Sequence, residues 1–325
     1  MRAAFSDLRR PPLRSTSLRT ALVGNGLPLR RLDVSDVTGS TNADLVSLAR
    51  TGADEAPDRT LLVTEHQTAG RGRLGRSWLT PARSCLTFSV LLRPETPMHT
   101  WSWLSLLAGL AVTNTLRRHA GVEARLKWPN DVLVPVLSPT HRPLVLSELP
   151  DDSASPGNPA HFPASGPPQG RPVAPPGKVA GILGEIVPAA EPGSAPAAVL
   201  GIGLNVTLSA EELPVPTATS LALAGAATTD RELLLRAIVR ELARLDDQWR
   251  AHHGDAEASG LAAAARESCD TLGSLVRVQR PAHPDLLGIA EGLDESGRLL
   301  VREGDRLVPV AAGDVTTVRP GEPLG

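Results

Sequence analysis

Lysine is almost absent from this sequence. Of its 33 lysine and arginine residues, 31 are arginine, and only Lys127 and Lys178 are lysine. Lysine supplies a compact, rotatable point charge, whereas the guanidinium of arginine is a broad planar fork. A position that stays lysine in such an arginine-rich chain indicates a requirement that arginine does not meet. Each lysine also lies in an unusual string, so we favour a functional role over chance survival on a solvated face.

Aromatic residues, cysteine and long apolar runs are scarce as well. Tyrosine is absent and phenylalanine occurs three times, so aliphatic side chains must fill most of the core. Two cysteines, Cys85 and Cys269, do not make a disulfide framework, which is typical of a reducing compartment. No uninterrupted apolar run approaches the ~20 residues that span a bilayer. The formal net charge of −2 gives no general attraction to nucleic acid or membranes. We therefore predict a soluble cytoplasmic protein that binds neither.

Composition divides the chain into segments. A length of 325 residues suggests about two domains at ~150 residues each. Residues 1–30 are Arg-rich, contain prolines and lack the apolar core of a secretory signal, so we predict a disordered extension there. Residues 135–177 hold 12 prolines in 43 positions and predict a flexible insert. Residues 31–267 form the main domain, and the short alternating segments of 268–325 predict a small antiparallel barrel.

Apolar periodicity places the secondary structure within these segments. A turn with cap-type residues at 38–42 precedes a predicted helix that runs from about 43 to 50. An amphipathic helix is predicted at 100–119 with Gly121 as its stop, and a Thr-Asp-Arg-Glu capping box at 229–232 opens a third helix that runs to about His252. The predicted strands are residues 60–65, 85–92, 124–128, 179–187, 198–206, 275–279, 286–290, 299–302 and 306–310.

The string Gly-Arg-Gly-Arg-Leu-Gly-Arg-Ser-Trp at 70–78 is the strongest local indication of a ligand-binding loop. Its three glycines let backbone amides come close to a ligand. Its three arginines supply forked donors that suit phosphate or carboxylate oxygens. The string predicts a site for a polyanion such as a nucleotide triphosphate, or alternatively a surface loop that grips an RNA backbone. No P-loop spacing is present, which disfavours an ordinary Walker-type ATPase.

Both lysines lie at an end of a predicted strand. Lys-Trp-Pro-Asn-Asp at 127–131 places a cation, an amide and a carboxylate within five residues, and Asp131 suits Mg²⁺ held together with nucleotide phosphates. The alternative is a structural turn with an exposed carboxylate. Lys178 stands at the mouth of a predicted buried strand, from which its ammonium can enter a pocket. The Gly-Ile-Gly-Leu-Asn-Val string at 201–206 leaves room for a ligand or for close strand packing.

The chain resembles the biotin–protein ligases, because five of its short strings match motifs of that family and occur in the same order. They are Ser-Thr-Asn at 40–42, Gln-Thr-Ala-Gly-Arg-Gly-Arg at 67–73, Lys-Trp-Pro-Asn-Asp at 127–131, Lys-Val-Ala-Gly-Ile at 178–182 and Gly-Leu-Asn at 203–205. The resemblance covers roughly residues 31–325, interrupted by the Pro-rich insert. It implies an α+β fold, with a catalytic domain related to class II aminoacyl-tRNA synthetases (a mixed sheet with flanking helices) followed by an SH3-like barrel.

The resemblance also implies a reaction, a partner and a set of site residues. Biotin and MgATP give biotinoyl-5′-AMP, and a lysine of a biotin carboxyl carrier domain of an acyl-CoA carboxylase then displaces AMP. The catalytic positions are Lys178, Arg73, Asp131 and Lys127, and Asp131 is the position for magnesium. The biotin-binding positions are Ser40, Thr41, Gln67, Gly70, Arg71, Arg73, Lys178 and Gly181. The ATP-binding positions are Arg73, Arg76, Trp78, Lys127, Asn130, Asp131 and Asn205.

Two departures from the family pattern and three rival hypotheses accompany this prediction. The insert separates two strings that many relatives join by a tight hairpin, and the ~30 residues before the main domain leave no room for the winged helix-turn-helix of the repressor relatives. We therefore expect no repressor role. The rivals are a lipoate–protein ligase or transferase, a biotin-sensing DNA-binding regulator, and a noncatalytic RNA-binding protein that uses the Gly/Arg loop.

Overall fold

The computed structural model describes residues 10–136, 175–189, 195–280 and 283–318. Most of the predicted insert at 135–177 and the first nine residues lie outside the described residues. The described chain forms a seven-stranded mixed sheet with helices on both faces, and a five-stranded antiparallel sheet follows it. No helix in the described ranges is both long enough and apolar enough to cross a membrane.

The seven-stranded sheet has the strand order β1-β2-β3-β7-β6-β5-β4. Only β1 and β2 are parallel, and the other neighbours are antiparallel. Five of these strands were predicted, whereas β1 and β5 were missed. The strands are β1 Arg31–Ser35, β2 Thr60–Thr64, β3 Cys85–Leu92, β4 Arg125–Lys127, β5 Asp131–Val134, β6 Gly177–Val187 and β7 Ala197–Asn205.

The two faces of the sheet bury different cores. On the all-buried strand β3, Phe88 and Val90 face the large cluster that holds α3 and α4, while Leu91 faces a smaller cluster around Leu45 of α2. This alternation follows from the two-residue period of a strand. The helices are α1 Ser15–Leu22, α2 Thr41–Ala49, α3 Leu104–Thr115, α4 Arg231–Ala251 and α5 Leu261–Ser268.

The predicted helix at 100–119 is present but less regular than expected. A 3₁₀ segment, Met98–Trp103, leads into α3, and a π turn, Leu116–Ala120, follows it and ends at Gly121 with φ 65°. Glycine at this left-handed position is the usual helix stop. The expected amphipathic pattern is wrong, because α3 is buried almost all round between the sheet on one side and α4 and α5 on the other.

Helix α4 begins one residue later than predicted, and its cap differs. Asp230 is the N-cap and its carboxylate accepts from the backbone N–H of Glu232, at 2.9 Å, and of Leu233, at 3.1 Å. The predicted Thr–Glu capping box is wrong because the Glu232 carboxylate turns away from the cap and binds Arg14 and Ser17 instead.

The prediction of a disordered extension at 1–30 is wrong for its described part, residues 10–30. Helix α1 packs against α4 and β1, and it buries Leu18 and Leu22 completely. The arginines that suggested disorder have partners, since Arg14 binds the Glu232 carboxylate and Arg19 donates to the Leu32 carbonyl at 3.0 Å. Residues 10–30 are therefore part of the main domain.

The C-terminal sheet has the strand order β11-β10-β9-β8-β12, with every pair antiparallel. It is a small SH3-like unit in which the outer strands β11 and β12 do not pair with each other within the described residues. Two tryptophans join it to the main domain, because the indole N–H of Trp103 donates to the Glu295 carbonyl at 2.7 Å and that of Trp128 to the Gly297 carbonyl at 3.0 Å. The strands are β8 Leu275–Gln279, β9 Leu286–Leu293, β10 Leu299–Glu303, β11 Arg306–Val310 and β12 Asp314–Thr317.

Candidate active site

The two lysines of the chain meet at one carboxylate. Strands β4 and β5 are joined by a tight turn that contains the cis Trp128–Pro129 peptide, and this turn places Lys127 directly opposite Asp131. On the other side of β5, the Lys178 ammonium lies 2.6 Å from Oδ1 of Asp131. Burial lowers the pKa of Lys127, and the attraction of Asp131 opposes that shift. The described chain therefore gathers two cations and one anion at the edge of the sheet, and we call Lys127, Lys178 and Asp131 the lysine cluster.

A β-bulge aims Lys178 into this cluster. In the pairing of β5 with β6, Val132 faces Ala180 whereas Leu133 faces Lys178, so Val179 is the extra residue. Without a bulge, Lys178 and Gly181 would point to opposite faces of the sheet, because they are three residues apart. The extra residue turns Lys178 onto the face of Gly181, where a Cβ added to the glycine would lie 3.2 Å from the ammonium nitrogen.

The Trp78 ring packs on two glycines of neighbouring strands. Gly181 of β6 and Gly203 of β7 are directly paired, and a Cβ added to Gly203 would lie 2.5 to 2.8 Å from three atoms of the indole. The Lys178 ammonium is 5.8 Å from the centroid of the same ring. The Gly-Ile-Gly string thus serves close packing at this position, and the packed group is the tryptophan at the end of the Gly/Arg loop.

The Gly/Arg loop reaches the cluster through Arg73. Its guanidinium donates to Oδ1 of Asn130 at 2.9 Å, and the Asn130 amide donates to the Ile182 carbonyl at 2.7 Å. Burial lowers the pKa of Arg73, an effect that nearby Asp131 opposes. Arg76 instead forms an ion pair with Asp314 of β12, so the Arg76 side chain points toward the C-terminal sheet. Arg71 is exposed in the loop.

Gly70 sits where the loop passes closest to Gln67. A Cβ at Gly70 would collide with the Trp78 carbonyl and would lie 2.5 Å from the Gln67 side-chain nitrogen. The Gly70 carbonyl accepts from the Trp78 backbone N–H at 2.8 Å, which closes the loop. Glycine is therefore required here by close approach, and it couples the two ends of the loop to Gln67.

A set of neutral hydrogen-bonding groups lies buried between α2 and β3. Oε1 of Gln67 accepts from the Thr41 backbone N–H at 2.8 Å and from the Thr41 hydroxyl at 3.1 Å. The Thr41 hydroxyl is also 2.7 Å from that of Ser89, which donates to Oδ1 of Asn42 at 2.6 Å. Ser40 caps α2 by accepting from the Ala43 backbone N–H at 3.4 Å. We call Thr41, Asn42, Gln67 and Ser89 the neutral set.

The neutral set and the lysine cluster share one face of the sheet. Asn42 lies over Gly201, where an added Cβ would overlap its amide, and Trp78 lies over Gly203. These two glycines are two residues apart on β7, a separation of about 7 Å along a strand. The face therefore presents neutral hydrogen-bonding groups at one end and cationic groups at the other.

Known proteins resemble this chain along nearly its whole length. A family model described as the Biotin/lipoate A/B protein ligase family matches residues 34–142, and one described as the Biotin protein ligase C terminal domain matches residues 271–316. A biotin--[acetyl-CoA-carboxylase] ligase of Mycobacterium tuberculosis is 41% identical over 317 residues, covering 96% of this chain and 98% of the relative. The chain belongs to the biotin protein ligase family.

Further relatives agree with this membership in the biotin protein ligase family. A biotin--[acetyl-CoA-carboxylase] ligase of Paracoccus denitrificans is 31% identical over 289 residues, 84% of this chain and 96% of the relative. A structure of a biotin protein ligase from Aquifex aeolicus in complex with biotin and ATP matches 90% of this chain and 100% of that chain, with a TM-score of 0.61 and 23% identity. The fold and family predicted from the five strings are confirmed.

Asn205 occupies a different setting from the other predicted ATP-binding positions of this biotin protein ligase. It is 2% exposed, its amide nitrogen donates to the Thr219 carbonyl at 2.9 Å, and its oxygen accepts from the Cys85 thiol at 3.4 Å. Burial raises the pKa of Cys85 to about 11, so this thiol stays protonated as a donor. Because Thr219 in turn donates to the Lys178 carbonyl at 2.9 Å, Asn205 supports the backbone of β6 beside Lys178.

A cleft of about 370 Å³ lies between the main domain and the C-terminal sheet. Arg73 and Asn130, the hydrogen-bonded pair next to the lysine cluster, line this cleft, but neither lysine does. Ile182 and Gly184 of β6 form one wall, and the loop at 296–298 forms another. The cleft adjoins the candidate active site of this ligase and is distinct from the face that carries the two lysines.

Sequence reasoning missed two polar residues, one a member of the neutral set and one that contacts it. Ser89 is fully buried on β3, and Glu185 on β6 accepts from the Asn42 amide at 2.8 Å. A serine inside a predicted strand that is otherwise apolar except for Thr87 was the available signal for Ser89. Glu185 carried no such signal, because its contact depends on how β6 lies beneath α2.

Proposed function

We propose that this protein is an ATP-dependent biotin–protein ligase. It forms biotinoyl-5′-AMP and pyrophosphate from biotin and ATP, and then transfers biotin to a lysine of a biotin carboxyl carrier domain. Family membership and the names of the full-length relatives support the activity. The acceptor that those names favour is the carrier of an acyl-CoA carboxylase, and the predicted cellular site is the cytoplasm.

One observation supports the site assignment above the others, namely the single face with neutral groups at one end and cations at the other. Biotin is a molecule of that kind, with a neutral ureido head and a carboxylate at the end of a short chain. A buried neutral head needs matched hydrogen bonds, and Ser40, Thr41 and Gln67 offer hydroxyl and amide groups for them. Gly70 and Arg71, which follow Gln67 in the Gly/Arg loop, are proposed to border the biotin-binding site.

Lys178 is the proposed centre of the first chemical step. In that step a biotin carboxylate oxygen attacks the α-phosphorus of ATP, and the bond to pyrophosphate breaks. Both reactants are anions, so an ammonium that contacts both relieves their repulsion and stabilises the charge that builds up in the transition state. The position of Lys178 above Gly181 and beside Asp131 is compatible with this role.

Lys127, Asn130 and Asp131 are proposed for the nucleotide side, together with Arg76 and Trp78. Within the described residues no group of three or more His, Cys, Asp and Glu side chains is placed to hold a metal ion. A single carboxylate fits magnesium that arrives with the triphosphate, because Mg²⁺ commonly uses one or two carboxylates and substrate phosphates. Asp131 would hold that ion, which would neutralise phosphate charge. Asn205 is assigned a supporting role through Thr219.

The Gly/Arg loop is proposed to cover the intermediate. A mixed anhydride of biotin and AMP reacts with water and with stray amines, so the site must exclude both until the carrier lysine arrives. The hydrogen bond between Arg73 and Asn130 joins the loop to the β4–β5 turn and supports this role. The carrier amine then attacks the acyl carbon, and AMP leaves.

The test is biotin-dependent exchange of labelled pyrophosphate into ATP, followed by transfer to a purified carrier domain. We expect exchange that requires both biotin and magnesium, and we expect no exchange when lipoate replaces biotin. Exchange with lipoate and not with biotin would assign the protein to the lipoate ligases. Absence of exchange with either acid would overturn the proposed function.

A further inference from the structure

A buried ion pair includes Glu65, two residues before Gln67 of the neutral set. Nη1 of Arg231, the first residue of α4, lies 2.6 Å from Oε2 of Glu65, the residue after β2. Each side chain is 4% exposed. Removing two charges from water is costly, so such a pair persists only where further hydrogen bonds satisfy the remaining groups.

The N-terminal segment provides most of those hydrogen bonds. The Pro11 carbonyl accepts from Nη2 of Arg231 at 2.6 Å, and the Leu13 backbone N–H donates to Oε1 of Glu65 at 2.5 Å. Arg231 also donates to the Cys85 carbonyl at 3.3 Å, at the start of β3. Residues 10–14, here named the N-terminal strap, thus close the ion pair from outside.

The strap is itself fixed at both ends by charged groups. Arg10 donates to the Glu212 carboxylate, at 2.6 Å for the shorter contact, and to the Thr207 carbonyl at 2.9 Å. Arg14 donates to the Glu232 carboxylate at 3.0 Å. The strap therefore connects the exits of β2 and β7 with the start of α4.

Only one residue separates Glu65 from Gln67. The Glu65 backbone is held on both sides, since its N–H donates to the Ser35 carbonyl at 3.0 Å and its carbonyl accepts from the Arg83 N–H at 2.8 Å. Because only one residue intervenes, a shift of Glu65 that overcomes these two hydrogen bonds also moves the Gln67 amide, and small misplacements of a binding group are costly. We infer that the Glu65–Arg231 pair, closed by the N-terminal strap, positions Gln67 and thereby sets the affinity for biotin. This inference rests on the proposed function.

The chain contains a matched control for this pair. Arg59 stands just before β2, as Glu65 stands just after it, and its Nη2 lies 2.6 Å from Oδ2 of Asp246 near the other end of α4. Both ion pairs therefore join β2 to α4, one at the end that carries Gln67 and one at the opposite end. Arg→Lys substitutions at the two positions are chemically identical and differ in their place relative to the site.

The experiment is calorimetric titration of full-length Arg231→Lys and Arg59→Lys with biotin in the absence of ATP. Lysine keeps the charge but cannot reach Glu65, Pro11 and Cys85 together. We expect the Kd for biotin to rise about tenfold in Arg231→Lys, the effect of one misaligned hydrogen bond. In Arg59→Lys we expect a change of less than about twofold, since distant sites act independently. At saturating biotin, kcat of Arg231→Lys should stay within about threefold of wild type.

Glu65→Gln tests the same pair from its other member. Its amide places an NH₂ group against one of two donors, the Leu13 N–H or the Arg231 guanidinium, so one hydrogen bond is lost and biotin binding should weaken similarly. Equal weakening in Arg59→Lys, or wild-type binding in both Glu65→Gln and Arg231→Lys, would overturn the inference. Failure of both of these variants to fold would overturn it too, because the pair would then serve folding alone. A wild-type protein that binds no biotin would instead overturn the proposed function.

Discussion

Replacing Lys178 by arginine keeps the positive charge of the candidate active site and changes its shape. The ammonium occupies a narrow space, with Asp131 Oδ1 at 2.6 Å, the Cα of Gly181 beneath it and the Trp78 ring centroid at 5.8 Å. A guanidinium is broader and planar, and it directs its donors in a fixed fork. In this space it would press on Gly181 or Trp78, and its donors would miss one of the two reacting anions.

The size of the effect follows from the loss of one preorganised donor. Removing such a group costs ~10²–10³-fold in the rate constant, which is about 3–4 kcal/mol of activation free energy at 1.36 kcal/mol per tenfold change. We expect kcat/KM for biotin-dependent pyrophosphate exchange to fall by this amount in Lys178→Arg. Biotin affinity without ATP should change much less, because the neutral set is untouched.

The control for this variant is Arg125→Lys, an exposed position at the start of β4. We expect its exchange rate to match that of the wild type, which would show that swapping the two cations near the site has no general effect. Near-wild-type exchange in Lys178→Arg would refute the argument that this position needs an ammonium. It would also leave the retention of lysine at position 178 without a chemical explanation.

Three further perturbations test other parts of the structure. Arg73→Gly removes the 2.9 Å hydrogen bond to Asn130 and should release biotinoyl-AMP, seen on an avidin blot as labelling of bystander proteins; retention of the adenylate as in wild type would contradict this role of the loop. Gly203→Ala places a Cβ against the indole of Trp78, which is assigned to the nucleotide side. Overpacking here must move the ring, so titration with ATP should show binding weakened by about tenfold or more, whereas Gly292→Ala, with open space around its Cβ, should bind ATP normally. Glu232→Gln should lower the free energy of unfolding at neutral pH by about 1–2 kcal/mol. Although burial raises the pKa of Glu232, hydrogen bonds from Arg14 and Ser17 outweigh it and lower the pKa to about 2. The carboxylate's contribution is therefore present above its ordinary value of 4.5 and is lost as the pH falls toward 2, so the denaturation curves of variant and wild type should converge over that window; a pH-independent difference would contradict the assignment.

Short strings located much of the candidate site because they occur where strands end. Lys127 and Asp131 flank a turn of three residues, so local geometry alone brings them face to face. Strand β3 was predicted with its observed bounds because all eight of its residues are buried and they are bounded by turn residues. Such features depend on neighbours in the sequence, which a single sequence displays directly.

Other features depend on distant partners and could not be predicted. The direction of Lys178 is set by a bulge in the pairing of β5 with β6, and nothing in the Lys-Val-Ala-Gly string marks Val179 as the extra residue. Helix α1 is short and Arg-rich, and its Leu18 and Leu22 are informative only once α4 lies against them. Tertiary packing overrode the local composition in each case.

The meeting of both lysines at Asp131 also makes the protein unusually simple to footprint by amine chemistry. Reagents that acylate primary amines can modify only the chain's α-amino group and these two side chains, since every other basic side chain apart from histidine is arginine. An activated ester should therefore act as a probe of the candidate active site, where the Lys178 side chain is about one-third exposed. The extent of acylation at Lys178, followed by peptide mass with and without biotin and ATP, would report occupancy of the site without any engineered label.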